Sequence, residues 1–110
     1  SGRKHDKFRE TGLTPVPATV VSAPLIKESP VNIECVVKEV RHLGSHDMFI
    51  AEVVAVHADE EYYNDKSGVF RLLDAEPISY IHGKYCETGK QIGKFGFSVE
   101  KKKRKKNRDK

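Results

Sequence analysis

The sequence predicts a mainly β domain that begins with one short helix. Two runs of β-branched and other apolar residues, at 31–41 and 48–58, have the length and composition of long strands, and a short polar turn joins them. Glycine and proline occur too often in most of the remaining chain for long helices to form there. A length of 110 residues allows one domain at most.

The helix is predicted at the start of the chain, within residues 1–12. Ser1 is a candidate N-terminal cap, and Gly12 is suited to end the helix in the left-handed conformation. Residues 13–30 contain four of the five prolines, which remove strand hydrogen bonds and favour extended backbone. We therefore expect an extended connector there, with a short edge strand near 18–21.

The two long runs predict a β-hairpin. In the first run apolar and polar residues alternate, so one face carries Val31, Ile33, Cys35 and Val37 and the other carries Asn32, Glu34 and Lys38. This pattern predicts Cys35 as a small core residue. The second run is apolar on both faces, which is typical of a central strand covered on both sides. Gly44 suits the tight turn between the runs.

The later part of the chain predicts shorter elements. Residues 69–73 are compatible with a short strand or with one helical turn, and residues 77–82 predict another strand. The following segment, 83–99, contains four glycines, which is too many for a stable helix.

The net charge of +4 comes from the last ten residues. Residues 101–110 contain eight Lys or Arg and one Asp, whereas residues 1–100 carry a net charge of −3. A block of like charges repels itself, which predicts a disordered tail, either simply solvated or binding nucleic acid through nonspecific attraction.

Composition also narrows the class of protein. No apolar run approaches the roughly 20 residues of a membrane-spanning helix, and no basic-then-apolar leader is visible. Cys35 and Cys86 form no CxxC pair and are too few for a disulfide framework, so a reducing cytoplasm is the expected location. No histidine combines with a carboxylate at a familiar metal spacing, so no metal site is predicted.

The most informative string, GSHDMFIAEV, lies at the predicted hairpin tip. His46 occupies the turn directly before a doubly apolar strand, where its imidazole can donate a hydrogen bond to a carbonyl or phosphate oxygen or stack on a flat ring. On composition alone, a solvent-exposed turn residue is the simpler interpretation.

Four landmarks resemble those of flavin reductase-like proteins of the FMN-binding split-barrel class. Gly44–Val53 resembles their G-x-H-x-x-F-I-G-E-V string, with Ala51 in place of the usual glycine. Ser1–Phe8 resembles their S-G-x-x-x-D-K-F segment, and GLT follows here as it does in the family. Ile78–Tyr85 resembles the Tyr-x-x-Gly-x-Tyr element that closes the flavin pocket, with Ile92–Gly93 after it.

The resemblance implies a split β-barrel of the FMN-binding type, of which residues 1–100 are the C-terminal portion. Family members have about as many residues again before this part, including early strands and much of the phosphate site. We therefore expect either a fragment or a barrel that another chain completes. Such proteins are usually homodimers with flavin near the subunit interface.

The resemblance also implies which residues contact the flavin. Lys7 would lie near the phosphate or the isoalloxazine oxygens, and His46 beside the ring system and the nicotinamide approach. Tyr80 and Tyr85 would wall the ring system, and Arg3 is a plausible phosphate partner. The alternative interpretations are solvated basic side chains for Lys7 and Arg3, a turn residue for His46 and ordinary barrel packing for the tyrosines.

The implied function is that of a flavoprotein oxidoreductase, which passes hydride or electrons from NAD(P)H through FMN to an acceptor. One alternative is an FMN-binding electron carrier without NAD(P)H turnover. Another is a small β-barrel that binds nucleic acid through the basic tail. Such modules need aromatic residues on an exposed sheet face, whereas Phe49 is the only aromatic residue in the two long strands.

Overall fold

The computed structural model describes residues 1–101, in which strands predominate. The strands are β1 (Pro15–Val16), β2 (Leu25–Ile26), β3 (Val31–His42), β4 (Asp47–Ala58), β5 (Ile78–Ile81) and β6 (Lys84–Glu87), and the helix α1 is Lys7–Thr11. Within the described residues the strands pair as three antiparallel two-stranded sheets, β1 with β2, β3 with β4 and β5 with β6. The chain forms two compact units, of which the second begins at Glu76.

Helix α1 is shorter than predicted, and its cap is a different residue. Asp6 is the N-cap, and its carboxylate accepts a hydrogen bond from the backbone N–H of Arg9 at 3.2 Å. Ser1 instead belongs to a preceding turn, in which its carbonyl accepts from the backbone N–H of Lys4 at 3.1 Å. Gly12 ends the helix with φ of +73°, as predicted.

The segment between α1 and β3 also differs from the prediction. Its strands are β1 and β2, whereas 18–21 forms a loop, so the strand expected there was wrong. The physical reason is that the backbone N–H groups of Thr19–Val21 donate to the carboxylate of Glu34 rather than to another strand.

The predicted hairpin is confirmed as β3 and β4, twelve residues each. The register runs from Val31 opposite Ala58 to His42 opposite Asp47, with irregularities after Glu34 and after Val37. Gly44 in the turn has φ of +83°, a conformation that side-chain-bearing residues rarely adopt.

The apolar faces of this hairpin are exposed rather than buried. Cys35 is exposed, so its prediction as a core residue was wrong. Among the described residues β4 pairs only with β3, and no apolar side chain is fully buried, so the expectation of a doubly covered central strand is also not met. Alternation shows which residues share a face but not what covers that face. Exposed apolar surface of this kind is typical of an interface.

Shorter elements follow the β3–β4 hairpin in the chain. Tyr63 and Phe70 form an isolated antiparallel bridge, and a 3-10 turn follows at Leu72–Ala75. In the second unit, β5 confirms the predicted strand and pairs with β6 through a turn at His82 and Gly83, whose φ values are +45° and +80°. Strand β6 was not predicted, because the glycine-rich sequence around it gave no clear strand pattern.

The basic tail predicted at 101–110 lies outside the described residues from residue 102 onward. Within them, no helix has the length and apolar character needed to cross a bilayer.

Candidate functional site

The motif segment at the start of the chain divides into residues that shape the backbone and residues that are exposed. Asp6 and Gly12 cap the two ends of α1. Lys7 is the first helical residue, is exposed, and its ammonium has no ion-pair partner within residues 1–101. Arg3 lies in the preceding turn, where its backbone N–H donates to Ser1 Oγ at 3.3 Å and its guanidinium is equally unpaired. Both cations are therefore available to an anion.

The Asp6 cap at the start of the Lys7 helix makes a measurable contribution to stability. We expect Asp6→Ala to reduce the free energy of unfolding by about 1 kcal/mol, because the Arg9 N–H loses its acceptor. Asp6→Asn is the matched control, since the asparagine side-chain oxygen still accepts that hydrogen bond. Its loss of unfolding free energy should be only about a few tenths of a kcal/mol. Denaturant unfolding of the three proteins measures both values, and equal losses for alanine and asparagine would contradict the capping role.

His46 lies at the tip of the β3–β4 hairpin, where the sequence predicts it. Its Nδ1 lies 2.8 Å from Ser45 Oγ, and its Nε2 has no partner in the part of the chain that the structure describes. The turn is closed by the backbone N–H of Leu43, which donates to the His46 carbonyl at 2.9 Å. Next to it, His42 Nδ1 lies 2.8 Å from Asp47 Oδ1. Within residues 1–101, each of these histidines therefore pairs through Nδ1 and leaves Nε2 available, and of the two only His46 belongs to the motif string.

Tyr80 and Tyr85 meet as cross-strand partners in the second unit. Their ring centroids lie 5.4 Å apart at an interplanar angle of 66°, which is an edge-to-face contact. Both side chains are nonetheless mostly exposed, at 67% and 76%. The pair therefore leaves aromatic surface available for stacking on a flat ring.

Glu34 is the residue that the sequence analysis missed. Its carboxylate is buried and accepts hydrogen bonds from Thr19 Oγ1 at 2.7 Å, from the N–H groups of Thr19, Val20 and Val21 at 2.7–3.0 Å, and from His57 Nε2. Chiefly the Thr19 hydroxyl, helped by His57 and the amides, holds the pKa of Glu34 well below its usual range, although burial opposes the shift. Strand alternation placed Glu34 on a polar face and gave no signal that a loop covers it.

Within residues 1–101, no group of three or more His, Cys, Asp or Glu side chains is placed to hold a metal ion. The candidate side chains Lys7, Arg3, His46, Tyr80 and Tyr85 are cationic, imidazole and phenolic groups, which suit a phosphorylated, planar ligand better than a cation.

Comparison with known proteins identifies the fold. A family model described as flavin reductase like domain matches residues 1–89. Flavoredoxin of Desulfovibrio vulgaris (Miyazaki F) superimposes with a TM-score of 0.71 at 31% identity, over 91% of this chain and 54% of that one. Nitrilotriacetate monooxygenase component B from Bacillus cereus gives 0.69 at 29% identity, over 79% and 46%. These neighbours confirm the predicted fold class, a mainly β split barrel of the flavin reductase type with a short N-terminal helix.

Relatives found by sequence are likewise longer than this chain. The YwrF protein of Bacillus subtilis, which is uncharacterised, is 32% identical over 95 residues, or 78% of this chain and 45% of that protein. An uncharacterised protein of Aeropyrum pernix is 33% identical over 75 residues, or 68% of this chain and 27% of that protein. The chain therefore spans less than half the length of these relatives.

Proposed function

We propose, because this chain belongs to the flavin reductase-like domain family, that it contributes part of an FMN-binding oxidoreductase, in which hydride or electrons pass from NAD(P)H through FMN to an acceptor. The observation that carries the proposal is the exposure of family-motif side chains with a polar atom that has no partner within residues 1–101, above all the Lys7 ammonium and Nε2 of the tip histidine His46. When bound, FMN supplies the redox chemistry, and the residues of this chain bind and orient it.

The charges and shapes of these side chains fit the chemistry of FMN. The Lys7 ammonium suits the phosphate or the isoalloxazine oxygens, and the Arg3 guanidinium suits the phosphate. The free Nε2 of His46 can donate to an oxygen of the ring system or of the phosphate. The exposed faces of Tyr80 and Tyr85 can stack on the isoalloxazine.

We also propose that the chain acts as a homodimer. Large apolar side chains of the β3–β4 hairpin are exposed: Ile33, Val37, Phe49, Val53 and Val56. An exposed apolar surface of this kind favours contact with another protein surface, which a second copy of the chain would supply. The cytoplasmic location stays a prediction.

The proposal is tested by the visible absorption spectrum of the purified chain before and after FMN is added and the protein is gel-filtered. Retained flavin absorbance is expected, and oxidation of NADH or NADPH is the next assay. Bound flavin without NAD(P)H oxidation would favour the electron-carrier alternative. If this chain stayed colourless, and if a longer protein that adds the preceding half found in relatives also stayed colourless, the proposal would be wrong.

His46 is tested by alanine substitution. We expect His46→Ala to weaken FMN binding about tenfold, because one hydrogen bond to a charged or polar ligand atom is lost. His42→Ala is the control, since His42 is an exposed histidine of the same hairpin that lies outside the motif string 44–53. Fluorescence titration of FMN measures both affinities. Equal affinities for wild type and His46→Ala, together with equal NAD(P)H turnover, would remove His46 from the site.

A further inference from the structure

The side chain of Asn32 joins strand β2 to strand β3. Asn32 Oδ1 accepts a hydrogen bond from the backbone N–H of Ile26 at 3.0 Å, and Asn32 Nδ2 donates to the Ile26 carbonyl at 3.1 Å. In the β1–β2 pair Ile26 lies opposite Pro15, which has no N–H to donate. The amide of Asn32 therefore bonds both backbone groups of Ile26, as a residue of a neighbouring strand would.

Strands β2 and β3 are not joined by strand pairing in the described residues, where β2 pairs only with β1 and β3 only with β4. Two side chains of β3 connect the segment 14–26 to the hairpin instead. Asn32 bonds β2, and Glu34 bonds the loop at Thr19–Val21. Asn32 and Glu34 are two positions apart and therefore extend from the same face of β3.

The same segment holds the end of helix α1. Shortly after Gly12 ends the helix, the backbone N–H of Thr14 donates to the carboxylate of Glu28 at 2.8 Å. The Thr14 carbonyl accepts from the backbone N–H of Lys27 at 2.9 Å. The position of α1 relative to β3 therefore depends on the β1–β2 pair, and through that pair on Asn32.

The first motif segment has no direct polar contact with the hairpin. Within residues 1–101, none of the hydrogen bonds and ion pairs of residues 1–12 reaches β3 or β4. Lys7 belongs to this segment, whereas His46 lies at the hairpin tip. Groups that bind one ligand together must be held at a fixed separation, because a displacement of about 1 Å can remove much of their effect.

We propose that Asn32 is a positioning residue of the flavin site, which sets the position of the Lys7 ammonium relative to the hairpin that carries His46. This inference rests on the proposed FMN function. Asparagine suits the role, because its short side chain ends in one acceptor and one donor group, which match the N–H and the carbonyl of Ile26. Aspartate has the same shape but no donor, so its carboxylate would face the carbonyl oxygen of Ile26.

A double-mutant cycle in the full chain tests whether Asn32 acts through Lys7. We expect Asn32→Ala to weaken FMN binding about tenfold in a fluorescence titration, because the Lys7 ammonium loses its fixed position. In Lys7→Met that position no longer matters, so adding Asn32→Ala should weaken binding by less than about twofold further. Equal losses from Asn32→Ala in wild type and in Lys7→Met would overturn the proposal.

Asn64→Ala is the matched control for this cycle. The Asn64 side chain also bonds backbone groups, but only within its own loop, where it accepts from the N–H groups of Lys66 and Ser67. Its substitution should leave FMN binding within about twofold of wild type. A loss as large as that of Asn32→Ala would mean that the cycle reports general stability, which would also overturn the proposal.

Residual dipolar couplings of the backbone N–H groups, measured without flavin, report the orientation of α1 relative to the β3–β4 hairpin. We expect Asn32→Ala and Asn32→Asp to change this orientation, while the couplings near the hairpin tip stay as in wild type. Asn32→Asp keeps the side-chain volume and decides the question if the alanine variant does not fold. Unchanged α1 couplings would overturn the proposal. Since no flavin is present, a wild type that bound no FMN would refute the FMN function, whereas the couplings would still show whether Asn32 positions α1.

Discussion

Glu34→Ala is expected to lower the melting temperature by roughly 10 °C or more, because the loop at Thr19–Val21 and His57 lose their shared acceptor. Part-buried backbone N–H groups that lose a charged acceptor are costly, and three of them share this carboxylate. Glu39→Ala is the matched control, since Glu39 lies on the same strand, is exposed and, within residues 1–101, forms an ion pair only with Arg41 at 2.6 Å. Its melting temperature should stay within about 2 °C of wild type.

Hydrogen exchange locates the effect within the unit. The N–H groups of Val20 and Val21 donate to Glu34 and should exchange about tenfold faster or more in Glu34→Ala, whereas amides in the β3–β4 ladder near the tip should change less. A uniform acceleration over the whole hairpin would mean that Glu34 contributes to global stability without holding this loop in particular. Unchanged exchange at both residues would contradict the role assigned to it.

The pH dependence of this contribution has a definite sign. The pKa of Glu34 is lowered in the folded protein, so its stabilisation is fully present above the unfolded pKa of about 4.3 and is lost as pH falls toward the lower folded value. Wild type should therefore exceed Glu34→Gln in stability at neutral pH, and the difference should shrink steadily below about pH 4.3. Melting curves of both proteins between neutral pH and pH 3 measure this, and a constant difference would contradict it.

Local pattern was sufficient for the elements whose partners are close in sequence. The hairpin of β3 and β4 follows from two long apolar runs and a glycine turn, and the end of α1 follows from Gly12. The start of α1 was misplaced because two residues, Ser1 and Asp6, are both suitable caps and only the backbone geometry distinguishes them.

Burial could not be predicted in the same way. Alternation correctly separated Cys35 from Glu34 onto opposite faces, but the covered residue is the charged one and the exposed residue is the apolar one. The cover comes from a loop fifteen residues earlier, whose backbone N–H groups carry no signal in the side-chain pattern. The same loop accounts for the wrong strand at 18–21.

For the candidate flavin site, in contrast, the sequence was more informative than it was about burial. Sequence motifs suggested Lys7 and His46 as candidates, and the structure adds that Asp6 and Gly12 of the first segment cap the two ends of the helix. Only tertiary information could show which motif residues are left exposed.

Lys7→Met is expected to weaken FMN binding by roughly ten- to a hundredfold, because an exposed ammonium without an ion pair loses its attraction to an anionic ligand. Lys27→Met is the control, since Lys27 is an exposed lysine outside the motif segment. Methionine keeps an unbranched chain of similar length and removes only the charge. Fluorescence titration with FMN and with riboflavin, which lacks the phosphate, separates the two positions expected for the ammonium.

If Lys7 contacts the phosphate, the substitution should weaken FMN binding and leave riboflavin binding and the flavin midpoint potential unchanged. If the ammonium lies at the isoalloxazine oxygens, both ligands should bind more weakly. The midpoint potential should then also fall, because a positive charge there stabilises the anionic reduced flavin. Unchanged affinity for both flavins, with Lys27→Met indistinguishable from Lys7→Met, would place Lys7 outside the flavin site. The first motif segment would then contribute the helix caps Asp6 and Gly12 rather than the charge of Lys7.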